Sequence, residues 1–205
     1  RFDQESEKVR RRQSAFFWEE RNIWFSDLWS DLTGAKQELP GDAEVRSRSA
    51  AFPFEVPYRL IQMYSLIGDT VLDPFLGTGT TAAAALTCGR SSIGYELDAN
   101  LLRTIGVAIE AAVPLGRRIA QRRLNEHTRF AAARREAGRP CRHLSRRYGF
   151  PVMTGQEVDL ELTAPRSVTA EGDGTTFIGS HEPAKPSSTP RPCGKAEDVT
   201  DPERP

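Results

Sequence analysis

The sequence is short of the residues that would tie it to several common classes. Its three cysteines, Cys88, Cys141 and Cys193, are odd in number and far apart, so neither a disulfide framework nor a C-x-x-C pair can be drawn, and a reducing, cytoplasmic compartment is expected. No apolar run approaches membrane-spanning length and no charged-then-apolar leader opens the chain, so no contact with a membrane is expected. Net charge is missing as well, since 28 basic residues meet 28 acidic ones over 205 residues. That balance hides an asymmetry: Arg103 to Arg147 holds twelve arginines against three glutamates. The chain opens on Arg1 and not on methionine, from which a piece of a longer or processed protein is expected.

Composition divides the chain into four stretches. Residues 1–47 combine charge with aromatics (Phe16, Phe17, Trp18, Trp24, Phe25 and Trp29, with Leu28), material for burial or docking, and then lose all periodicity in a Gly- and Pro-containing linker. Residues 48–115 carry the most ordered signal. There, two prolines precede an apolar set at Leu60, Ile61, Tyr64 and Ser65, with Ile67 beyond, which predicts a short amphipathic helix. Then "TVLDPF" reads as a buried strand, "LGTGT" as a turn, "TAAAALTC" as a helix stopped at Gly89, and "SSIGYELD" as a second strand. The fold class is therefore α/β, built on a parallel β-α-β unit. Residues 116–163 form a basic helical segment with terminal strands, the helix formers from Ala99 to Glu136 being interrupted at Pro114 and Gly116. From 164 to 205 the chain turns to Ser, Thr, Pro, Gly and acidic residues, and a disordered tail is expected.

A glycine turn between a strand and a helix offers backbone N–H groups and a helix N-terminus to a nucleotide-like ligand. A P-loop would end in Gly-Lys-Ser/Thr, which is absent here. A dinucleotide fingerprint is not excluded, because Ala82 stands where the third glycine of G-x-G-x-x-G tolerates alanine. Asp73 argues otherwise. A carboxylate at the tip of the first strand repels a pyrophosphate and attracts an α-ammonium, which points to S-adenosylmethionine. Glu96, 17 residues after Gly79, is placed to accept from ribose hydroxyls, with Ile93 and Leu97 flanking the adenine. Asp73 as a turn former before Pro74, and Glu96 as a solvated strand-end acid, remain open beside this reading. Cys88 reads as a small core residue. Cys141 and His143 have no second pair at ligand spacing, so no metal is expected.

From Arg48 to Asp98 the sequence resembles the cofactor-binding portion of DNA methyltransferases that modify an exocyclic amino group, adenine N6 or cytosine N4. The resemblance rests on an F-P-x-E-x-P segment from Phe52, D-P-F-x-G-T-G-T-T from Asp73 and G-x-E-x-D from Gly94. It implies a partial Rossmann-like S-adenosylmethionine-dependent methyltransferase fold. It assigns Phe52, Pro53 and Glu55 to the wall at the methionine end, Asp73, Phe75, Gly77, Thr78, Gly79 and Thr80 to the cofactor turn, and Glu96 to the ribose.

These enzymes hold the target base with an Asp/Asn/Ser-Pro-Pro-aromatic tetrapeptide, reached only after the base leaves the duplex. The sequence has no Pro-Pro dipeptide, so no catalytic residue is assigned. The expectation is a cofactor-binding half, inactive alone, whose catalytic half lies upstream of Arg1 or on another chain and whose partner is double-stranded DNA. Arg117, Arg118, Arg122 and Arg123 are candidates for contact with the DNA backbone, against the alternative of a solvated helix face. Two other functions stay open: a non-catalytic DNA- or partner-binding module derived from a methyltransferase, and an NAD-binding oxidoreductase.

Overall fold

A computed structural model describes residues 5–32 and 52–186; the linker and residues 187–205 of the expected tail lie outside them. Two short helices open the described chain, α1 (Glu5–Gln13) and α2 (Trp18–Trp24), and α3 (Glu55–Tyr64) comes next. Then come β1 (Thr70–Asp73), α4 (Thr80–Thr87), β2 (Ser91–Gly94) and a long α5 (Leu102–Glu136). Short strands β3 (His143–Leu144) and β4 (Pro151–Val152) pair antiparallel, and β5 (Thr163–Glu171) and β6 (Thr176–Pro183) form a hairpin.

The expected β-α-β unit is present. β1 and β2 run parallel with Leu72 opposite Ile93 and Asp73 opposite Gly94. Between them, α4 owes its helix to four alanines, the best helix formers, and their small side chains let neighbours approach on all sides. Ala82 to Ala85 are all buried. The helix ends in a Schellman motif: Arg90 N–H donates to Ala85 O at 2.9 Å and Gly89 N–H to Leu86 O at 3.1 Å, with Gly89 at φ +71°.

Four expectations are corrected. β1 is not buried on both faces: Leu72 is 63 % and Ile93 52 % exposed, because among the described residues nothing covers that side of the sheet. α3 begins at Glu55 and takes Pro57 into its first turn, where the missing N–H costs nothing, so the buried face is Tyr58, Arg59, Ile61 and Gln62 while Leu60 and Tyr64 face outward. α5 is continuous through Pro114 and Gly116. Pro114 turns its ring to solvent, and Gly116 is where β5 comes closest, since a Cβ there would lie 2.6 Å from Pro165 Cδ. Finally, residues 163–183 are a hairpin and not a tail. Val168 and Phe177 pack against Ala82, Ile105 and Ile109, so the hairpin owes its order to α4 and α5.

The N-terminal aromatics belong to the same core. Trp24 packs with Tyr58, Ile61, Ala84, Ala85 and Ile119, and Phe17 with Leu124, Val152, Leu160 and Leu162. Two buried polar contacts lock α2 to α5. Arg123 binds Glu20, with Nη2 to Oε2 at 2.8 Å, and donates to Tyr58 Oη at 3.1 Å; one helical turn on, His127 Nδ1 meets Glu19 Oε1 at 2.8 Å. The His127 ring lies flat on Phe17, centroids 4.0 Å apart, and its Nε2 reaches Pro151 O at 2.9 Å. No helix among the described residues is long and apolar enough to cross a membrane.

Two outcomes are expected. In urea unfolding, Gly116→Ala should lose about 1–3 kcal/mol to overpacking against Pro165. Gly106→Ala on the same helix, where the new Cβ meets only the Phe177 ring at 3.5 Å, should be neutral or gain up to about 1 kcal/mol. Equal effects would contradict the close approach. Burial opposes the charge on His127, but Glu19 and the Pro151 carbonyl outweigh it and hold its pKa above the ordinary histidine value. A raised folded pKa means stability that is complete below about pH 6.5, the unfolded value, and is lost as pH rises through the folded one. Unfolding free energy should therefore fall with pH on the alkaline side of about 6.5, and the slope should vanish in His127→Gln.

Candidate functional site

The site is assembled at the C-terminal ends of β1 and β2. Asp73 closes β1 and turns the chain by accepting Phe75 N–H at 3.0 Å on Oδ1. Gly77 and Gly79 then take φ of +56° and +85°, a region closed to most side chains. Gly79 carries a second constraint, for a Cβ there would lie 3.2 Å from Ile105 Cα, so the residue lets the first turns of α5 press against the start of α4. Gly94 does the same for the sheet, leaving room for Leu76, whose side chain would otherwise sit 2.6 Å from a Cβ.

Glu96 ties the two strand ends together. Its Oε2 accepts Gly77 N–H at 2.8 Å, and its Oε1 accepts Leu97 and Asp98 N–H, both at 2.9 Å. Asp98 in turn caps the following 3-10 turn, accepting Asn100 N–H at 3.0 Å. Two carboxylates, Asp73 and Glu96, thus flank one glycine turn. A phosphate would meet them as like charge, and the Gly77 amide it would use is already given to Glu96. Phe75 (87 % exposed) and Leu97 (fully exposed) offer apolar surface beside the acids. Thr78 and Thr80 face each other across the turn, Oγ1 to Oγ1 3.4 Å.

The structure therefore brings together Asp73, Phe75, Gly77, Thr78, Gly79, Thr80, Glu96 and Leu97. Asp98, the last residue of G-x-E-x-D, supports Glu96 through its amide and caps the next turn at Asn100, a role not foreseen from sequence. Phe52 and Pro53 lead into α3, where Glu55 pairs with Arg122 of α5, Oε1 to Nη2 3.0 Å. The carboxylate expected at the methionine end and an arginine expected on DNA are thus each other's partners. Around them α2, α3 and α5 enclose a cavity of about 500 Å³ that also holds Glu20, Arg59 and Arg123.

Arg123 as a DNA contact is corrected: its side chain is 6 % exposed and spent on Glu20. Arg117 is exposed but donates to the carbonyls of Pro165 at 3.2 Å and Arg166 at 2.6 Å. Arg118 stands exposed on the same helix. Cys88 is core, as its sequence context suggests, and burial pushes its thiol up to about 12. Among the described residues one trio has the residue types for a metal, Glu19, His127 and Glu157, with ligand atoms within 4.8 Å. His127 spends both nitrogens on protein partners, and Glu157 accepts from Trp18 N–H, Thr154 N–H and Thr154 Oγ1, so two of the three are engaged within the protein, while Glu19 Oε2 is buried without a partner.

The DNA methylase family matches residues 1–107. The type II methyltransferase M.MthZI of Methanothermobacter thermautotrophicus is 51 % identical over 166 residues, 81 % of this chain and 45 % of that protein. M.MjaI of Methanocaldococcus jannaschii is 55 % identical over 91 residues, 44 % of this chain and 29 % of the relative. A solved DNA modification methylase of Thermus thermophilus, complexed with S-adenosyl-L-methionine, is 31 % identical with a TM-score of 0.42 over 56 % of this chain and 39 % of that one. The chain thus spans less than half the length of each of these relatives. With more than half of its residues under the family pattern and four fifths aligned to M.MthZI, the chain belongs to the DNA methylase family.

Proposed function

We propose that this chain is the S-adenosylmethionine-binding portion of a DNA methyltransferase acting on an exocyclic amino group, adenine N6 or cytosine N4. The observation that carries the reading is the acid-rimmed glycine turn. S-adenosylmethionine presents an ammonium, a sulfonium and a ribose diol, all of which suit carboxylates, whereas NAD presents a pyrophosphate, which does not. In this reading Asp73 takes the ammonium through the oxygen it does not spend on Phe75. Glu96 takes a ribose hydroxyl, since a carboxylate has about four acceptor sites and three are filled by backbone N–H groups. Phe75 and Leu97 bracket the adenine. When bound, the cofactor supplies an electrophilic methyl group, and these residues hold and orient it.

The chain has no Pro-Pro-aromatic motif to hold the target amine, so in this reading transfer needs a complementary portion. The side of the sheet that no described residue covers supports that. Leu72, Ile93 and Tyr95 are exposed at its strands, and a free two-stranded sheet is marginal in water. Further strands from the complementary portion would cover this surface and carry the base-binding group. On α5, Arg118 and Arg122 are the candidates left for the DNA backbone.

Calorimetry tests the cofactor. The chain should bind S-adenosylmethionine and not NAD, and tight NAD binding would overturn the assignment. Asp73→Ala removes a charge-assisted contact worth about 1.5–3 kcal/mol, so affinity should fall roughly 10- to 150-fold; an unchanged affinity would misplace the ammonium. The chain alone should transfer no labelled methyl group to any duplex, with activity restored by the separately expressed complementary portion. Positioning of that kind is worth several powers of ten in rate, so methylation by the chain alone would contradict the account.

A further inference from the structure

A second opening lies at the other end of β1 from the glycine turn. α1 docks beside the entry to that strand, where Arg10 pairs with Asp69 at 3.0 Å and Ile67 N–H donates to Ser14 Oγ at 2.8 Å. Between α1, the start of α2, the end of α3 and the 154–156 loop runs a cleft of about 540 Å³. Four basic residues line it, Lys8, Arg11, Arg12 and Arg21, and no acidic residue does among the described residues. Phe16 and Trp18, both half-buried, add ring surface, and Met63 and Leu66 an apolar floor.

The contrast with α5 gives this cleft its meaning. On α5 two of the arginines singled out for DNA are committed, Arg117 to two carbonyls and Arg123 to buried Glu20, while Arg122 meets Glu55 in a half-exposed pair. In the cleft, Lys8 meets Glu5 at 3.4 Å between exposed groups and Arg12 meets Asp159 at 3.5 Å, both weak surface pairs that a stronger anion displaces at little cost, and Arg11 is exposed but also engaged within the protein. Four cations around aromatic and apolar surface match a polyanion that also carries flat rings.

We propose that this cleft binds a nucleic-acid strand, phosphates on Lys8, Arg11, Arg12 and Arg21 and a base against Trp18 or Phe16, as a contact separate from the cofactor turn. Cations supply the affinity and aromatic rings tolerate any sequence, so the contact anchors without selecting. The proposal rests on the DNA-methylase reading for its ligand class, but its site is independent of the cofactor.

Anisotropy titrations of a fluorescent oligonucleotide, single- and double-stranded, across a salt series with the whole chain provide the test. The triple variant Lys8→Gln/Arg11→Gln/Arg21→Gln removes exposed charges and leaves Arg10 and Arg12 to seat α1. It should weaken binding at least 10-fold and flatten the log affinity against log salt slope by about 2 to 3, at roughly 0.7 per phosphate contact for single strands and 0.9 for duplex. Arg129→Gln/Arg135→Gln/Arg139→Gln, equal in charge but outside the cleft's lining, on and beyond α5, should change little. Arg21→Glu alone gives a second reading should the triple variant fold poorly, and it should weaken binding in the same direction. The proposal fails if the chain binds no oligonucleotide at low salt, if cleft variants leave slope and affinity unchanged, or if both triples weaken binding equally. It also fails if polyglutamate of matched charge displaces the oligonucleotide at equal concentration, because the rings would then contribute nothing. Calorimetry with S-adenosylmethionine on the cleft triple separates the two readings: cofactor affinity should be unchanged, and oligonucleotide binding without any cofactor binding would remove the proposed cofactor role and leave the cleft standing.

Discussion

Two buried contacts on successive turns of α5 hold the described residues together, Arg123 on Glu20 and His127 on Glu19. Neither is a gain in isolation, because burying charge is costly and an apolar pair would serve stability as well. Their force appears once the helices are docked. Losing one partner leaves the other charged and dry, at about 3–5 kcal/mol, so α2 cannot leave α5 without a large cost. Tyr58 joins the same knot through its hydroxyl, which brings in α3, and the Pro151 carbonyl brings in β4.

The opposite end of α5 sets the glycine turn. At about 1.5 Å per residue its 35 residues run about 52 Å, so one rod spans from Ile105 to the knot and beyond. Ile105 presses on Gly79, and the helix can come that close only because the residue has no Cβ. Glu96 then fixes the turn from the β2 side by taking the Gly77 amide. The electrostatic character of the site comes from this bond: a donor that would recruit phosphate is withdrawn, and a carboxylate stands in front of it.

The turn is legible in the sequence because its determinants are local. Glycines at 77 and 79, the acid at 73 and the acid at 96 are fixed by turn conformation and strand ends, and the β-α-β unit comes with them. Pairings that span the chain are not legible. Arg122 reads as a solvated arginine until Glu55, 67 residues away, is placed beside it, and Arg123 until Glu20, 103 residues away, is. Pro114 and Gly116 signal a break, yet α5 passes through both because one faces solvent and the other admits Pro165. The hairpin of β5 and β6 looks like a tail by composition, and only packing of Val168 and Phe177 on α4 and α5 reveals why it is ordered.

Family membership and the charge of the turn support the same proposed ligand by separate routes, one from sequence similarity and one from where two carboxylates stand. The most direct test is a crystal structure of the chain grown with S-adenosylmethionine. The account predicts the ribose hydroxyls at Glu96, the ammonium within hydrogen-bond reach of Asp73, and the adenine between Phe75 and Leu97. A cofactor seated elsewhere, or seated at this turn with Asp73 and Glu96 turned away from it, would contradict the account.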